Sequence, residues 1–176
     1  MEQGGITGFL EMDFGKKRYS IVVLGCGNLL LGDDGVGPEV IKRLKAYQVP
    51  DYVFIEDVGT GIREFLFDYL LDPSIRPDLL IVVDAVAFEK GRIGQIFELS
   101  PGDIPDVKIH DFSLHQFPTV NMLWELEKET GTEVKIVAVQ IHPKIREIKI
   151  GLSKQVENAL DSVCKKILKI IADRDC

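Results

Sequence analysis

Cysteine is scarce: Cys26, Cys164 and Cys176 are widely scattered through 176 residues, with no Cys-x-x-Cys pair. An odd, dispersed set gives neither a disulfide framework nor a thiolate zinc site, and it fits a reducing compartment. Long apolar runs are missing as well. No stretch approaches the roughly 18 residues a spanning helix needs, and the first residues lack the basic-then-apolar order of a secretion signal. A soluble, cytoplasmic chain with no membrane partner is the expectation. Positive charge is also in short supply: 21 Lys and Arg against 28 Asp and Glu leave a net charge of −7, which argues against a nucleic-acid partner. The basic run Cys164-Lys165-Lys166-Ile167-Leu168-Lys169 reads as the solvated face of a helix.

What remains is an ordinary globular composition, 45% hydrophobic and 28% charged, in a length that suits one α/β domain better than two. Residues 1–18 have no period and read as a leader or an added strand; the domain is expected over 19–172. Strands are expected at Ile21–Leu24, Asp51–Glu56, Leu79–Val83, Gln95–Leu99 and Val134–Val139. Helices are expected at Gly37–Tyr47, from Ile62 through Phe65, Leu66 and Tyr69, at Thr119–Thr130, and from Ser153 to about Ile171. The continuously apolar Leu79–Val83 suits a strand buried on both faces. Alternating strands and helices imply a single α/β domain with a mostly parallel twisted sheet, flanked by helices on both faces. Such sheets bind ligands beyond the carboxyl ends of their strands.

That rule directs attention to Gly25-Cys26-Gly27-Asn28-Leu29-Leu30-Leu31-Gly32-Asp33-Asp34-Gly35-Val36-Gly37, a glycine loop that follows the first strand and then presents two carboxylates. It begins like a dinucleotide site, yet Leu30 stands where a third glycine would be needed, and carboxylates would repel a pyrophosphate. A cation suits it better. Asp57, in the second glycine turn Asp57-Val58-Gly59-Thr60-Gly61, and Asp84, after the third apolar run, belong to the same expected edge. His115 lies in a loop before a helix, with His110 nearby and His142 after the last strand. Two carboxylates and an imidazole would suit Ni²⁺ or Zn²⁺. Bland readings stand beside each: Asp33 or Asp34 as a helix cap, Asp84 as a loop cap, His115 as an ordinary histidine, and Cys26 as a packed small residue rather than a nucleophile.

Four segments together resemble one family. Leu24–Gly37, Asp57-Val58-Gly59-Thr60-Gly61, Val82-Val83-Asp84-Ala85-Val86 and Ser113-Leu114-His115-Gln116 are similar, in order and spacing, to motifs of the nickel–iron hydrogenase maturation endopeptidases. The resemblance implies a metal-dependent endopeptidase that removes the C-terminal extension of a hydrogenase large-subunit precursor after nickel insertion. It also implies Asp34, Asp84 and His115 as metal-contacting and catalytic residues, Asp57 as their support, and no role for His110 or His142. The metal implied is Ni²⁺ carried by the precursor, for which Zn²⁺ or Cd²⁺ could substitute in a crystal. Leu114 replaces the commoner proline, so the histidine loop lacks that rigid element. Glu98-Leu99-Ser100-Pro101 and Gln140-Ile141-His142-Pro143 suggest the branch serving coenzyme F420-reducing hydrogenases. Two other readings remain open: a nucleotide-binding module using both glycine turns, and a nickel chaperone that does not cut.

Overall fold

In the computed structural model, residues 17–103, 117–143 and 148–174 are described. Most of the expected leader, and the segment 104–116 with His110 and His115, lie outside them. Five strands, β1 (Ile21–Cys26), β2 (Val53–Gly59), β3 (Leu79–Val86), β4 (Ile96–Leu99) and β5 (Glu133–Gln140), form one sheet in the order β2-β1-β3-β5-β4. Strands β1, β2, β3 and β5 run parallel, whereas β4 pairs antiparallel with β5 at the edge. The helices are α1 (Val36–Leu44), α2 (Ile62–Leu71), α3 (Phe117–Thr130) and α4 (Lys154–Ala172).

Side-chain alternation sorts the core into two layers. On one face, Ile21 and Val23 of β1, Leu79, Ile81, Val83 and Ala85 of β3, and Val137 and Val139 of β5 pack with α1 and α4. On the other, Val22, Leu24 and Cys26 of β1, Leu80, Val82 and Val86 of β3, and Ile136 and Ala138 of β5 pack with α2 and α3. A period of two in each strand, with both sets apolar, is what a parallel sheet covered on both faces requires. The mostly parallel, doubly covered sheet expected from sequence is therefore present.

Three strands are longer than their apolar runs suggest. β1 reaches Cys26, β2 carries Asp57 and Gly59 within it, and β3 continues to Val86, so Asp84 lies inside the strand rather than after it. Each extension is polar or glycine-bearing yet paired with its neighbours: Asp84 stands opposite Ala138, and the β1–β2 pairing shifts register between Gly25 and Cys26, so that Cys26 meets Gly59. Pairing with neighbouring strands, not local hydrophobicity, sets these ends. Helix α1 conversely stops at Leu44, before Tyr47, which is exposed.

Candidate functional site

The strand order reverses at β1: β1 leads to α1 on one face of the sheet, whereas the chain that leaves its neighbour β3 returns through α3 on the other. At such a point the loops diverge and leave a crevice. β1 delivers the loop Gly27–Gly35 into it, and β3 delivers Asp84.

The loop folds back on itself. Gly27 has φ +136° and a Cβ there would collide with the Asp34 carbonyl oxygen, so glycine is required for the loop to pass so close to that residue. Its N–H donates to the Gly59 carbonyl of the second glycine turn (2.9 Å), tying the two turns together. Gly37, in the first turn of α1, lies against the ends of β1 and β3; a Cβ would collide with the Cys26 carbonyl oxygen and stand 2.7 Å from that of Val83. Both glycines are used for internal packing, and neither leaves a cradle for a phosphate.

The two adjacent aspartates separate. Asp34 Oδ2 accepts from the Asn28 N–H (2.8 Å), closing the loop over its own carboxylate, while Asp33 Oδ1 accepts from the Ser153 N–H (2.5 Å) at the start of α4. Neither caps α1, whose N-cap is Gly35 and which has no side-chain cap bond. Asp84 Oδ1 accepts from the Ala85 N–H (2.7 Å). Asp34 and Asp84 are 4% and 3% exposed, a depth of burial rare for ionisable side chains.

The two carboxyl groups lie close enough to act on one another electrostatically. Burial pushes the Asp84 carboxyl well above the usual carboxylate range; the Ala85 N–H opposes that shift, and the neighbouring Asp34 charge adds to it. The Cys26 thiol is likewise raised, first by burial and then by Asp84, Asp57 and Asp34 in that order. Asp34, Asp57 and Asp84 thus all act on one buried thiol. A thiol held protonated in this way is no nucleophile at neutral pH, so Cys26 is a packed residue on the α2/α3 face. Asp57 Oδ1 accepts from the Gly59 N–H (2.9 Å) and shapes the second turn.

Buried carboxylates in mutual repulsion are stabilised by a cation placed between them, so this donor set fits a divalent metal. Among the described residues, no three His, Cys, Asp or Glu side chains are arranged to hold an ion. The third expected donor, His115, lies outside them. His142 is exposed.

Sequence reasoning missed Gln140, only 1% exposed at the end of β5. Its Nε2 donates to the carbonyls of Phe88 (3.0 Å) and Ile141 (3.1 Å), and its Oε1 accepts from the Phe88 N–H (3.2 Å), fixing the loop that leaves β3 just beyond Asp84. A lone glutamine ending the apolar run Val137-Ala138-Val139 was the available signal.

The hydrogenase maturation protease family model HycI matches residues 38–170. The chain belongs to the hydrogenase maturation protease family. It is 30% identical to the hydrogenase 2 maturation protease of Escherichia coli, covering 87% of this chain and 91% of that one. Identity to the coenzyme F420 hydrogenase subunit delta of Methanothermobacter thermautotrophicus is 33%, over 84% and 92% of the two chains. The E. coli hydrogenase-maturating endopeptidase HybD has the same fold, with TM-score 0.69 and 31% identity over 90% of this chain and 94% of that one. Among the described residues, the two glycine turns meet at the ends of β1 and β2, where the Gly27 N–H donates to the Gly59 carbonyl. No helix among the described residues is long and apolar enough to cross a membrane.

Proposed function

We propose that this maturation protease removes a C-terminal extension from a nickel–iron hydrogenase large-subunit precursor, and that Asp34, Asp84 and His115 recognise the nickel already seated in that precursor. The observation that carries the reading is the meeting of two buried carboxylates, from the β1 loop and from β3, at the point where the strand order reverses. The relatives named for hydrogenase maturation support the substrate class. A cytoplasmic site of action agrees with the sparse, unpaired cysteines.

In this reading the nickel belongs to the substrate and acts as its own signal of completion. A precursor without the metal offers the carboxylates no cation to bind. With nickel present, Asp34 and Asp84 bind through oxygen and His115 through an imidazole nitrogen, which fixes the scissile peptide at the open edge of the sheet. The bound metal supplies Lewis acidity; a carboxylate at this edge can take the proton of the attacking water. Loop closure by Asn28 and the Asp57 turn hold the carboxylates in place throughout.

The test is incubation with nickel-loaded and nickel-free precursors, read by mass spectrometry. The proposal expects the loaded precursor alone to lose a C-terminal peptide. Nickel transfer with an intact precursor would identify a chaperone instead. Thermal stabilisation by NAD or ATP but not by Ni²⁺ would support the nucleotide-binding module, a reading disfavoured by the closed packing of Gly27.

A further inference from the structure

Beside the carboxylate loop lies an apolar surface with no part in the chemistry above. Leu29 and Leu30, 47% and 55% exposed, sit in the loop that Asp34 closes. Residues Ile148–Ile150 are joined to that loop by a parallel bridge between Leu31 and Lys149. The Lys149 N–H donates to the Leu30 carbonyl (2.9 Å), and the Gly32 N–H donates to the Lys149 carbonyl (2.6 Å). Ile148 and Ile150 flank the bridged residue and are 82% and 83% exposed. Among the described residues, the other large exposed apolar side chains are scattered: Tyr47 beyond the end of α1, Phe67 and Leu71 on α2, and Trp124 on α3.

Single exposed aliphatic residues need no explanation, whereas four gathered on two bridged segments mark an interaction site. We propose that Leu29, Leu30, Ile148 and Ile150 form the docking lip for an apolar segment of the large-subunit precursor next to its scissile bond. The lip is continuous with the site: the Asn28 N–H bonded to Asp34 opens the same loop that carries Leu29 and Leu30. A precursor held at Asp34 and Asp84 by its metal must lay the adjoining chain over or beside this loop. Self-association is the poorer explanation, because two copies each carrying a net charge of −7 repel one another. The proposal rests on the proteolytic reading and adds to it the surface that selects the substrate.

The experiment compares the wild type, an Ile148→Glu/Ile150→Glu variant, a Leu30→Glu variant and a Phe67→Glu/Leu71→Glu control in cleavage of nickel-loaded large-subunit precursors, those of an F420-reducing hydrogenase and of hydrogenase 2. Unfolding temperatures are measured alongside, and all substituted side chains are exposed. The lip variants are expected to raise KM by about tenfold or more with kcat changed by less than about twofold, and the control to change neither. A parallel binding measurement with precursor and Asp84→Asn protein should show the same loss of affinity when the lip substitutions are added. Wild-type cleavage with unchanged KM in the lip variants overturns the docking site while leaving the protease reading intact. A dimer in solution that the lip variants dissociate without altering KM does the same, whereas failure of the wild type to cut any nickel-loaded precursor overturns the protease reading and the docking site together.

Discussion

Asp84 is a carboxyl group surrounded by apolar strands, with another carboxylate close enough to oppose its ionisation. Nothing in packing calls for a charge there. Asp84→Asn preserves the size of the side chain and removes the charge, so cleavage of nickel-loaded precursor should fall by about a hundredfold or more while the unfolding temperature is not lowered. Full cleavage by this variant would remove Asp84 from the reaction. Tyr69 illustrates a group with a purely structural effect. Burial, with a smaller contribution from Asp68, pushes its hydroxyl up to about 12. Its folded-state value exceeds its unfolded one, so the associated stability is fully present below about pH 10 and disappears as pH rises to about 12, by up to about 3 kcal/mol. Tyr69→Phe should flatten that alkaline loss in urea titrations at successive pH values, and an unchanged slope would contradict it. At this scale the sequence was readable in type and order: Asp34 and Asp84 stood out as acids after apolar runs. Composition and spacing did not separate Asp33 from Asp34, and only the family resemblance favoured Asp34; the bond from the Ser153 N–H to Asp33, between residues far apart in the chain, was not legible in either.

Helix α1 and the ends of β1 and β3 are brought into contact by Gly37, and helix α4 is tied to the same loop through Asp33 and Ser153. These two attachments, at Asp33 and Gly37, flank Asp34 in the chain. Gly37→Ala should force α1 away from the Cys26 and Val83 carbonyls and destabilise the fold by about 2 kcal/mol or more, seen as a lower urea midpoint. Asp33→Ala leaves the Ser153 N–H without its acceptor and removes a negative charge from the α4 N-terminus; about 1–2 kcal/mol should be lost by the same measurement. Wild-type midpoints in both variants would show that the loop is held by other contacts. Elements themselves were mostly legible, since apolar periods of two and of three to four residues located every strand and helix described. The antiparallel direction of β4 was not foreseen, although a reason is visible in the chain: Ala87–Gln95 contains no helix and is too short for a crossover back to the parallel start of the sheet.

Across the whole molecule, two apolar layers fix a sheet whose order reverses at β1, and that reversal brings together acids more than forty residues apart in sequence. The convergence at one edge followed from βαβ topology before any coordinates. The apolar lip did not, because Ile148 and Ile150 read as unremarkable residues until the bridge of Lys149 to Leu31 sets them beside the carboxylate loop. The central claim is that Asp34, Asp84 and His115 share one metal ion. Anomalous diffraction from crystals soaked in Cd²⁺ tests this directly, with the ion standing in for the precursor's nickel. The account predicts a single strong peak within about 2.6 Å of a carboxylate oxygen of both Asp34 and Asp84 and of an imidazole nitrogen of His115; a peak bound elsewhere, with the three side chains too far apart to reach a common ion, would contradict it.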